Sequence, residues 1–364
     1  MRATFDSSLH RQGIVGGSLW FISSGQVLAH DGFGLADEAS RRPVTDSTIY
    51  HWASVTKTFT AIAIMQLRDR GLLRLDDPAV KYVPELRAVR DTFGDIDAVT
   101  IRHLMSHSGG FRNGTWPYGG DKPWHPFEPT RWEQLVAMMP YTEILFRPGS
   151  RFGYSNPGII YLGRVIEALS GDDYEVYVDK NILKPLGMTH SYFDGTPYHL
   201  LRQRSNGYEV ASGRKTAVGL SFDTGITVSN GGLNAPLTDM ARYVAFLAGA
   251  PDAAGVHEGV LKRGSLEEMW KPLLPVGGGN TEGDSVTAGL FSLDAGGRRY
   301  LGKTGSQAGF RSFIYFDPVR HTAAAGVTNT SGTGPAKSGP EADAQWLLLD
   351  IRNELLARIF PLFR

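Results

Sequence analysis

A serine and a lysine three positions apart, Ser54 and Lys57, have the clearest potential for chemistry in this sequence. Side chains three apart on a helix lie on one face, so the Lys57 amine can reach the Ser54 hydroxyl. A serine becomes a nucleophile when an adjacent base takes its proton, and a lysine can be that base if burial favours its neutral form. The pair also has a simpler explanation, because serine is a favoured N-cap residue.

The segment that follows Lys57 is nearly free of charge from residue 58 to residue 67. Apolar residues occupy almost every side of this stretch, which predicts a buried helix from residue 54 to about residue 70. Gly71 is a good residue to end it. A buried helix would hold the hydroxyl and the amine rigidly and would remove the amine from water.

Two further groups of polar residues stand at positions that the local structure does not fully explain. Tyr154 lies in a tight turn before a predicted helix over residues 158–169, and Asn156 with Pro157 behind it predicts an N-cap followed by the first helical residue. That accounts for Asn156 but not for Tyr154. Lys303, Thr304 and Gly305 lie at the end of a predicted strand.

Strand patterns lie towards both ends of the chain, and helix patterns fill the middle. The period-two segments are residues 17–23, 26–33, 288–293, 298–303, 310–316 and 322–329, the first two joined by the turn Ser24-Gly25. The further helical segments are residues 101–106, 130–140, 174–183, 237–247 and 341–359. A capping box, Thr130 with Glu133, would begin the second of these helices. The pattern predicts one sheet built from both ends, with an inserted helical middle.

Composition excludes several classes of function. The chain has 37 basic and 37 acidic residues, so nothing indicates a nucleic-acid partner. It has no cysteine, which excludes disulfides, thiolate metal sites and cysteine nucleophiles. No apolar run is long enough for a membrane span, and the first nine residues lack a signal-peptide core. We therefore expect a soluble, cytoplasmic protein, or a periplasmic or secreted one if a leader has been removed.

Two motifs in the sequence match known binding patterns, for a nucleotide and for zinc, but lack the context that such sites need. Residues 297–304 match the nucleotide-binding pattern G-x-x-x-x-G-K-[ST], but they lead into a strand pattern rather than a helix. His103 and His107 have a spacing that can hold zinc, yet they lack the glutamate of the zinc-protease motif and an obvious third ligand. We expect neither a cofactor nor a metal. No Gly-x-Ser-x-Gly elbow occurs either.

Taken in order, Ser54-x-x-Lys57, Tyr154-x-Asn156 and Lys303-Thr304-Gly305 resemble the three motifs of the serine β-lactamase and penicillin-binding protein superfamily. The resemblance is strongest to the class C branch, with its family VIII esterases, DD-peptidases, D-aminopeptidases and transacylases. It implies an α+β, β-lactamase/transpeptidase-like fold, with an antiparallel five-stranded sheet flanked by helices and an inserted, mostly helical domain. The sheet domain would comprise residues 1–70 and 285–364, and the helical domain residues 71–284, with the active site at their junction.

The resemblance also implies roles for the motif residues. Ser54 would form an acyl-enzyme, while Lys57 and Tyr154 would share the proton transfer, and which of them is the base stays open because coupled groups titrate together. Asn156 would hydrogen-bond the substrate or Lys57. The backbone N–H groups of Ser54 and Ser306 would form the oxyanion hole. Lys303 would place positive charge on the cleft edge, where family members bind a substrate carboxylate.

The expected substrate is a small ester, amide or lactam. Thr304, Gly305, Arg311 and the loop aromatics Trp116 and Tyr118 are candidate contacts, although these two aromatics could equally pack their loop down. Lys303 favours a carboxylate-bearing β-lactam or D-peptide, whereas the aromatic loop and the lack of a leader favour a cytoplasmic esterase or D-amino-acid amidase. The alternatives to hydrolysis are a biosynthetic transacylase, which passes the acyl group to an amine or alcohol, and an acylated ligand sensor without turnover. The oligomeric state is left open.

Overall fold

The computed structural model describes residues 13–114, 129–211, 214–220, 223–252, 254–278, 280–332 and 344–363. The strands are β1 Gly16–Ser23, β2 Gln26–Asp37, β3 Arg42–Pro43, β4 Ile49–His51, β5 Tyr192–Phe193, β6 Gly207–Ala211, β7 Arg214–Gly219, β8 Leu233–Pro236, β9 Leu274–Pro275, β10 Ser285–Val286, β11 Phe291–Ala295, β12 Arg298–Gln307, β13 Phe310–Asp317, β14 Thr322–Thr328 and β15 Thr330–Gly332. The α-helices are α1 Thr56–Asp69, α2 Ile101–Met105, α3 Trp132–Met138, α4 Asn156–Ser170, α5 Tyr174–Val178, α6 Val228–Gly231, α7 Leu237–Leu247, α8 Val256–Val260, α9 Arg263–Met269 and α10 Ala344–Glu354.

A nine-stranded antiparallel sheet organises these elements, in the order β3-β2-β1-β14-β13-β12-β11-β10-β9. Its strands of seven residues or more, β2, β1, β14, β13 and β12, are neighbours, and shorter strands extend them on both sides. The sheet therefore joins segments from early and late in the chain, as predicted. The β1–β2 hairpin turns at Ser24 and Gly25, which both have positive φ, as type I′ hairpin turns require.

Apolar cores cover both faces of this sheet. On one face β1, β13 and β14 pack against a large core that includes α1, α4 and α7. On the other face Phe21, Phe313 and Tyr315 pack against Leu348, Ile351 and other residues of the C-terminal helix. All seven residues of β14 are buried, which is the pattern of a strand covered on both sides. The α+β architecture with helices on both faces of an antiparallel sheet is confirmed.

Helix α1 is the buried helix that the sequence predicts. Its residues from Thr56 to Leu67 are all buried, and a 3₁₀ turn, Ala53–Val55, precedes it. Gly71 beyond its end has φ of 76° and therefore takes the left-handed conformation that favours glycine. The helix contacts α4 and α6 as well as the 3₁₀ turn that carries Ser54. Ser54 thus lies just before the N-terminus of a helix that the core holds in place.

The middle of the chain contains strands that the sequence patterns did not reveal. Together with β4 and β15, which lie nearer the two ends, they form two further sheets, ordered β4-β8-β5 and β15-β6-β7. Strand β7 is mostly exposed and carries Arg214 and Lys215, so it lacks the apolar alternation of a half-buried strand. The predicted division into residues 1–70 with 285–364 and residues 71–284 stays a prediction. Among the described residues, none of the helices combines the length and apolar character needed to cross a bilayer.

The predicted capping box at Thr130 and Glu133 is wrong. Helix α3 begins at Trp132, so its N-cap is Arg131 rather than Thr130. The Gln134 side-chain oxygen accepts hydrogen bonds from the N–H groups of Arg131 (3.1 Å) and Thr130 (2.8 Å). A glutamine at the third helical position satisfies these donors as well as a glutamate would, and this shifts the start of the helix by one residue.

Candidate active site

Ser54 and Lys57 are in direct contact. The Lys57 Nζ atom lies 2.9 Å from Ser54 Oγ and donates a second hydrogen bond, 2.8 Å long, to the carbonyl oxygen of Asn230. Lys57 is only 1% exposed, whereas Ser54 is half-buried. The contact arises because the two residues are three positions apart at the N-terminus of α1. A buried amine therefore lies against a hydroxyl that an entering molecule can reach.

Strand β12 passes very close to the turn that carries Ser54. A Cβ atom at Gly305 would lie 2.2 Å from the carbonyl oxygen of Trp52, so only glycine allows this approach. The same carbonyl accepts a 2.9 Å hydrogen bond from the Ser312 hydroxyl on β13. Ala53, between Trp52 and Ser54, has φ of 48°, a conformation that alanine rarely adopts. The sheet thus holds the serine turn in a strained conformation.

Replacing Gly305 by alanine tests this close approach. The added methyl group clashes with backbone atoms, which cannot move aside as the end of a flexible side chain can. We expect a loss of roughly 2 kcal/mol or more in the free energy of unfolding, in the range of overpacked sites. Denaturant unfolding measures this change. Gly278→Ala, in the open segment between β9 and β10 of the same sheet, adds the same methyl group where no atom lies within 4 Å and φ is not positive. Equal stability of the Gly305→Ala variant and the wild type would contradict the close approach.

Tyr154 lies among three groups that fix its ring. The Nζ atoms of Lys57 and Lys303 lie 5.2 Å and 4.9 Å from the ring centroid, and the His107 ring stacks on it at 4.4 Å and 24°. The Tyr154 side chain is also coupled electrostatically to Lys57, and Ser54 contributes to lowering its pKa. The structure therefore brings together Ser54, Lys57, Tyr154 and Lys303, four of the five residues predicted to be catalytic.

The electrostatics of this cluster make proton transfer easier. Burial lowers the pKa of Lys57, and the nearby Lys303 charge lowers it further. Burial alone would raise the pKa of Tyr154, but the ammonium groups of Lys303 and Lys57 outweigh it, and the net shift is downward. Burial also holds the pKa of His107 well below its ordinary value, so that this ring is neutral. Both candidate bases therefore lose their proton more readily than they would in water.

These shifts predict how activity depends on pH. The base must be deprotonated, so kcat/KM rises with pH, and lowered pKa values place this rise below the ordinary value of about 10 for either group. Lys303→Gln removes a positive charge that lowers the pKa of both Lys57 and Tyr154. We expect its pH–rate profile to move to higher pH by about one unit.

The measurement is kcat/KM against pH for the wild type, for Lys303→Gln and for Lys81→Gln, which removes an exposed positive charge paired with Asp77. The Lys81→Gln profile should coincide with that of the wild type. A shift of the Lys303→Gln profile to lower pH would contradict the assignment, whichever of the two groups is the base.

Asn156 differs from its predicted place. The N-cap of α4 is Ser155, whose hydroxyl accepts a 3.1 Å hydrogen bond from the N–H of Gly158. Asn156 is the first helical residue, and its side-chain amide donates to Asn113 Oδ1 at 3.2 Å. The Lys57 hydrogen bond expected of Asn156 goes instead to the Asn230 carbonyl. Asn156 does line the pocket at Ser54, where substrate contact stays a prediction.

The sequence predicts that Lys303 offers a free positive charge at the cleft edge, but the structure shows that charge paired with Glu282. The Lys303 side chain is 1% exposed, and its ammonium group lies 2.5 Å from the Glu282 carboxylate. Burial would lower the pKa of Lys303, but the attraction of Glu282 raises it overall. The difference arises because Glu282 lies in a glycine-rich segment that carries no motif. Lys303 is therefore a charged residue with a partner within the protein.

An open pocket of about 390 Å³ gives access to Ser54. Its described lining consists of Ser54, Gly114, Pro129, Thr130, Asn156, Asp223, Thr224, Thr227, Asn230, Ser306 and Gln307. Ser54 and Ser306, the predicted oxyanion-hole residues, thus line the same pocket.

The other predicted substrate contacts are not among the described residues that line this pocket. Thr304, Gly305 and Arg311 line a second cavity of about 20 Å³, which the C-terminal helix residues Leu348 and Leu349 also line. Ser306 lines both cavities, and substrate contact by Thr304, Gly305 and Arg311 stays a prediction. Trp116 and Tyr118 lie outside the described residues.

The nucleotide-binding pattern and the two histidines at zinc-ligand spacing have structural roles in the fold. Residues 298–304 of the nucleotide-binding pattern lie in strand β12. His103 Nδ1 accepts the N–H of Thr100 at 3.3 Å, within the cap of α2. His107 Nδ1 accepts the N–H of Ser155 at 3.2 Å, which leaves its ring free to stack on Tyr154. The two histidines therefore hold the backbone and the tyrosine in place.

Sequence reasoning missed three residues of this site, namely Asn230, Glu282 and His107. Asn230 contributes a backbone carbonyl, for which side-chain identity carries no signal. Glu282 lies in a glycine-rich segment without a motif, and only its contact with Lys303 across the fold reveals it. His107 did give a signal in the sequence, its spacing of four from His103, but that spacing indicates a metal ligand rather than a ring that stacks on Tyr154.

A half-buried serine in contact with a buried lysine, beside a tyrosine and against an antiparallel sheet, defines the class of serine hydrolases with a Ser-x-x-Lys motif. The chain belongs to the β-lactamase family, whose family model, described as Beta-lactamase, matches residues 1–347. The family resemblance predicted from the motifs is thereby confirmed.

Comparisons with individual proteins agree with this assignment. The chain is 30% identical to esterase EstB of Burkholderia gladioli over 213 residues, which cover 54% of this chain and 53% of that protein. An octameric penicillin-binding protein homologue of Pyrococcus abyssi superposes with a TM-score of 0.80 at 29% identity, covering 98% of this chain and 76% of the other. A class C β-lactamase gives a TM-score of 0.77 at 21% identity over 98% and 96% of the two chains, which shows the shared fold. The chain spans about half to 60% of the length of the curated relatives it matches.

Proposed function

We propose that the protein cleaves a small ester or amide through an acyl-Ser54 intermediate. The observation that carries this proposal is the 2.9 Å contact between the buried Lys57 amine and the Ser54 hydroxyl, at a pocket open to solvent. The similarity to esterase EstB supports an ester as the first substrate to test.

The proposed reaction has two halves. Ser54 Oγ attacks the substrate carbonyl while its proton passes to the Lys57–Tyr154 pair, and the same pair returns the proton to the leaving group. The backbone N–H groups of Ser54 and Ser306 stabilise the negative oxygen of the tetrahedral intermediate, each by roughly 3 kcal/mol. Water then attacks the ester of Ser54, transferring a proton to the same pair. The acid is released and the serine is restored.

The position of Tyr154 supports its part in this transfer. It lies between two lysines that favour its ionised form, and its side chain interacts with both Ser54 and Lys57. A tyrosinate or a neutral lysine can each accept the serine proton. The pair acts as one coupled base.

A small substrate panel tests the proposal. It comprises short-chain p-nitrophenyl esters, D-alanyl peptides and a chromogenic cephalosporin, with a fluorophosphonate probe that labels activated serines. We expect turnover of at least one ester or amide and a single adduct, mapped to the peptide that contains Ser54. Added amines or alcohols show whether the acyl group passes to an acceptor other than water. A probe adduct on another residue, or no adduct and no turnover, would overturn the proposal.

A further inference from the structure

Each of the two lysines beside Tyr154 already has a partner within the protein. Lys57 bonds to Ser54 and to the Asn230 carbonyl, and Lys303 forms an ion pair with Glu282. Both lysine side chains are 1% exposed. A molecule that enters the pocket therefore meets neither ammonium group as a free cation.

Several contacts hold Glu282 in place. Its carboxylate accepts hydrogen bonds from Lys303 at 2.5 Å and from the N–H of Thr304 at 3.3 Å. The hydroxyl of Tyr315 donates to its carbonyl oxygen at 2.8 Å, and its own N–H donates to Asn280 Oδ1 at 2.8 Å. With its side chain 18% exposed, Glu282 is held against Lys303, beside the cluster at Tyr154, rather than being a loose surface carboxylate.

The pocket lining gives a second, independent observation. Of the described residues that line the pocket at Ser54, Asp223 alone carries a charge, and this charge is negative. The other described lining residues offer hydroxyl, amide and backbone groups, which recognise neutral polar molecules. The described pocket wall therefore repels anions and offers them no accessible cation.

We propose that Glu282 is a specificity-determining residue that occupies Lys303 and thereby restricts the Ser54 pocket to substrates without a negative charge. A substrate carboxylate could reach Lys303 only by displacing Glu282, which would leave a second carboxylate nearby without a partner. Lys303 instead keeps its charge next to the Tyr154 ring, 4.9 Å from its centroid. This inference rests on the proposed function and narrows it to uncharged esters or amides.

Matched substrates test the inference. Phenyl butyrate esters with either a meta carboxamide or a meta carboxylate on the ring have nearly the same shape and differ in charge. A second pair of phenyl esters has a butanoyl acyl group that ends in either a carboxamide or a carboxylate, so that the same difference in charge lies on the acyl side. We expect the wild type to favour the neutral ester of each pair by about tenfold or more in kcat/KM, the range lost when a charge is left without its partner.

The variant Glu282→Gln removes the negative charge at nearly constant shape and frees Lys303. We expect the ratio of kcat/KM for the neutral ester to kcat/KM for the carboxylate ester to fall by about tenfold, mainly because the carboxylate esters react faster. The control Asp294→Asn removes an exposed carboxylate that is paired with Arg299 on the same sheet, and it should keep the wild-type ratio. A wild type that favours the carboxylate esters, or an unchanged ratio in a folded Glu282→Gln protein, would overturn the inference.

A measurement on the wild type alone covers the case in which Glu282→Gln does not fold. Phenylboronic acids form reversible adducts with active-site serines, and the meta carboxamide and meta carboxylate forms again differ in charge. Tighter inhibition by the neutral form, by about tenfold, supports the inference, and tighter inhibition by the anionic form overturns it. If neither boronate binds and no ester is cleaved, the proposed function itself fails, and the inference falls with it.

Discussion

Replacing Ser54 by alanine should lower kcat/KM roughly 10⁴- to 10⁶-fold for any ester or amide that the wild type cleaves, because the nucleophile is lost. No acylated protein should then be detectable by intact mass. The fold should persist, since Ser54 is half-buried and the change removes one oxygen atom. Steady-state kinetics and intact-mass spectrometry of the two proteins measure the effect.

The matched control is Ser47→Ala, which makes the same chemical change at an exposed serine in the loop before β4. Its kinetics should equal those of the wild type. If the Ser54→Ala variant keeps more than about a hundredth of the activity, Ser54 is not the nucleophile, since loss of a nucleophile lowers the rate by far more than that.

Replacing Lys57 by methionine should have the second largest effect. Methionine fills nearly the same volume as lysine but cannot accept a proton, and positioned acids and bases contribute about 10²- to 10⁴-fold to rate. We expect kcat/KM to fall by roughly 10³-fold. The free energy of unfolding should stay within about 1 kcal/mol of the wild type, because the lost hydrogen bond to Asn230 is offset by the removal of a buried amine.

The variant Lys57→Arg separates proton transfer from charge. An arginine at this buried position stays protonated and cannot act as a base, so it should be as inactive as Lys57→Met. Unlike methionine, it buries a permanent positive charge close to that of Lys303, and we expect it to destabilise the fold by roughly 3 kcal/mol. Lys180→Met, at an exposed lysine paired with Asp172, is the control for loss of charge. Wild-type activity in Lys57→Arg would exclude Lys57 as part of the base.

Much of the fold near Ser54 was predictable because its signals are local. The β1–β2 hairpin turns at Ser24-Gly25 as expected, and α1 follows from an uncharged, largely apolar segment over residues 58–67 with Gly71 beyond the helix end. The motif residues Ser54 and Lys57 meet because their spacing on one turn brings them together. Strand β12 carries Lys303 as its alternating pattern predicts.

The remaining features depend on contacts between residues distant in sequence. Ser155 rather than Asn156 caps α4, because Asn156 has a partner, Asn113, that only the fold brings near. Glu282, in the segment between β9 and β10, pairs with Lys303 on β12, and no local pattern indicates that pairing. Strands β6 and β7 lie in the middle of the chain without apolar alternation, so their pairing is visible only in three dimensions.

The close passage of β12 over Trp52 has a consequence for how the protein acquires activity. Ser54 is made early in synthesis, but the strands that clamp its turn, which carry Gly305 and Ser312, are made late. Pairings between residues so far apart in sequence form slowly, because a long loop must close before they contribute. During translation α1 and Lys57 can therefore form before the turn that carries Ser54 takes its final conformation. Catalytic competence should appear only when the late strands join the sheet, which delays the reactive serine until the chain has folded around it.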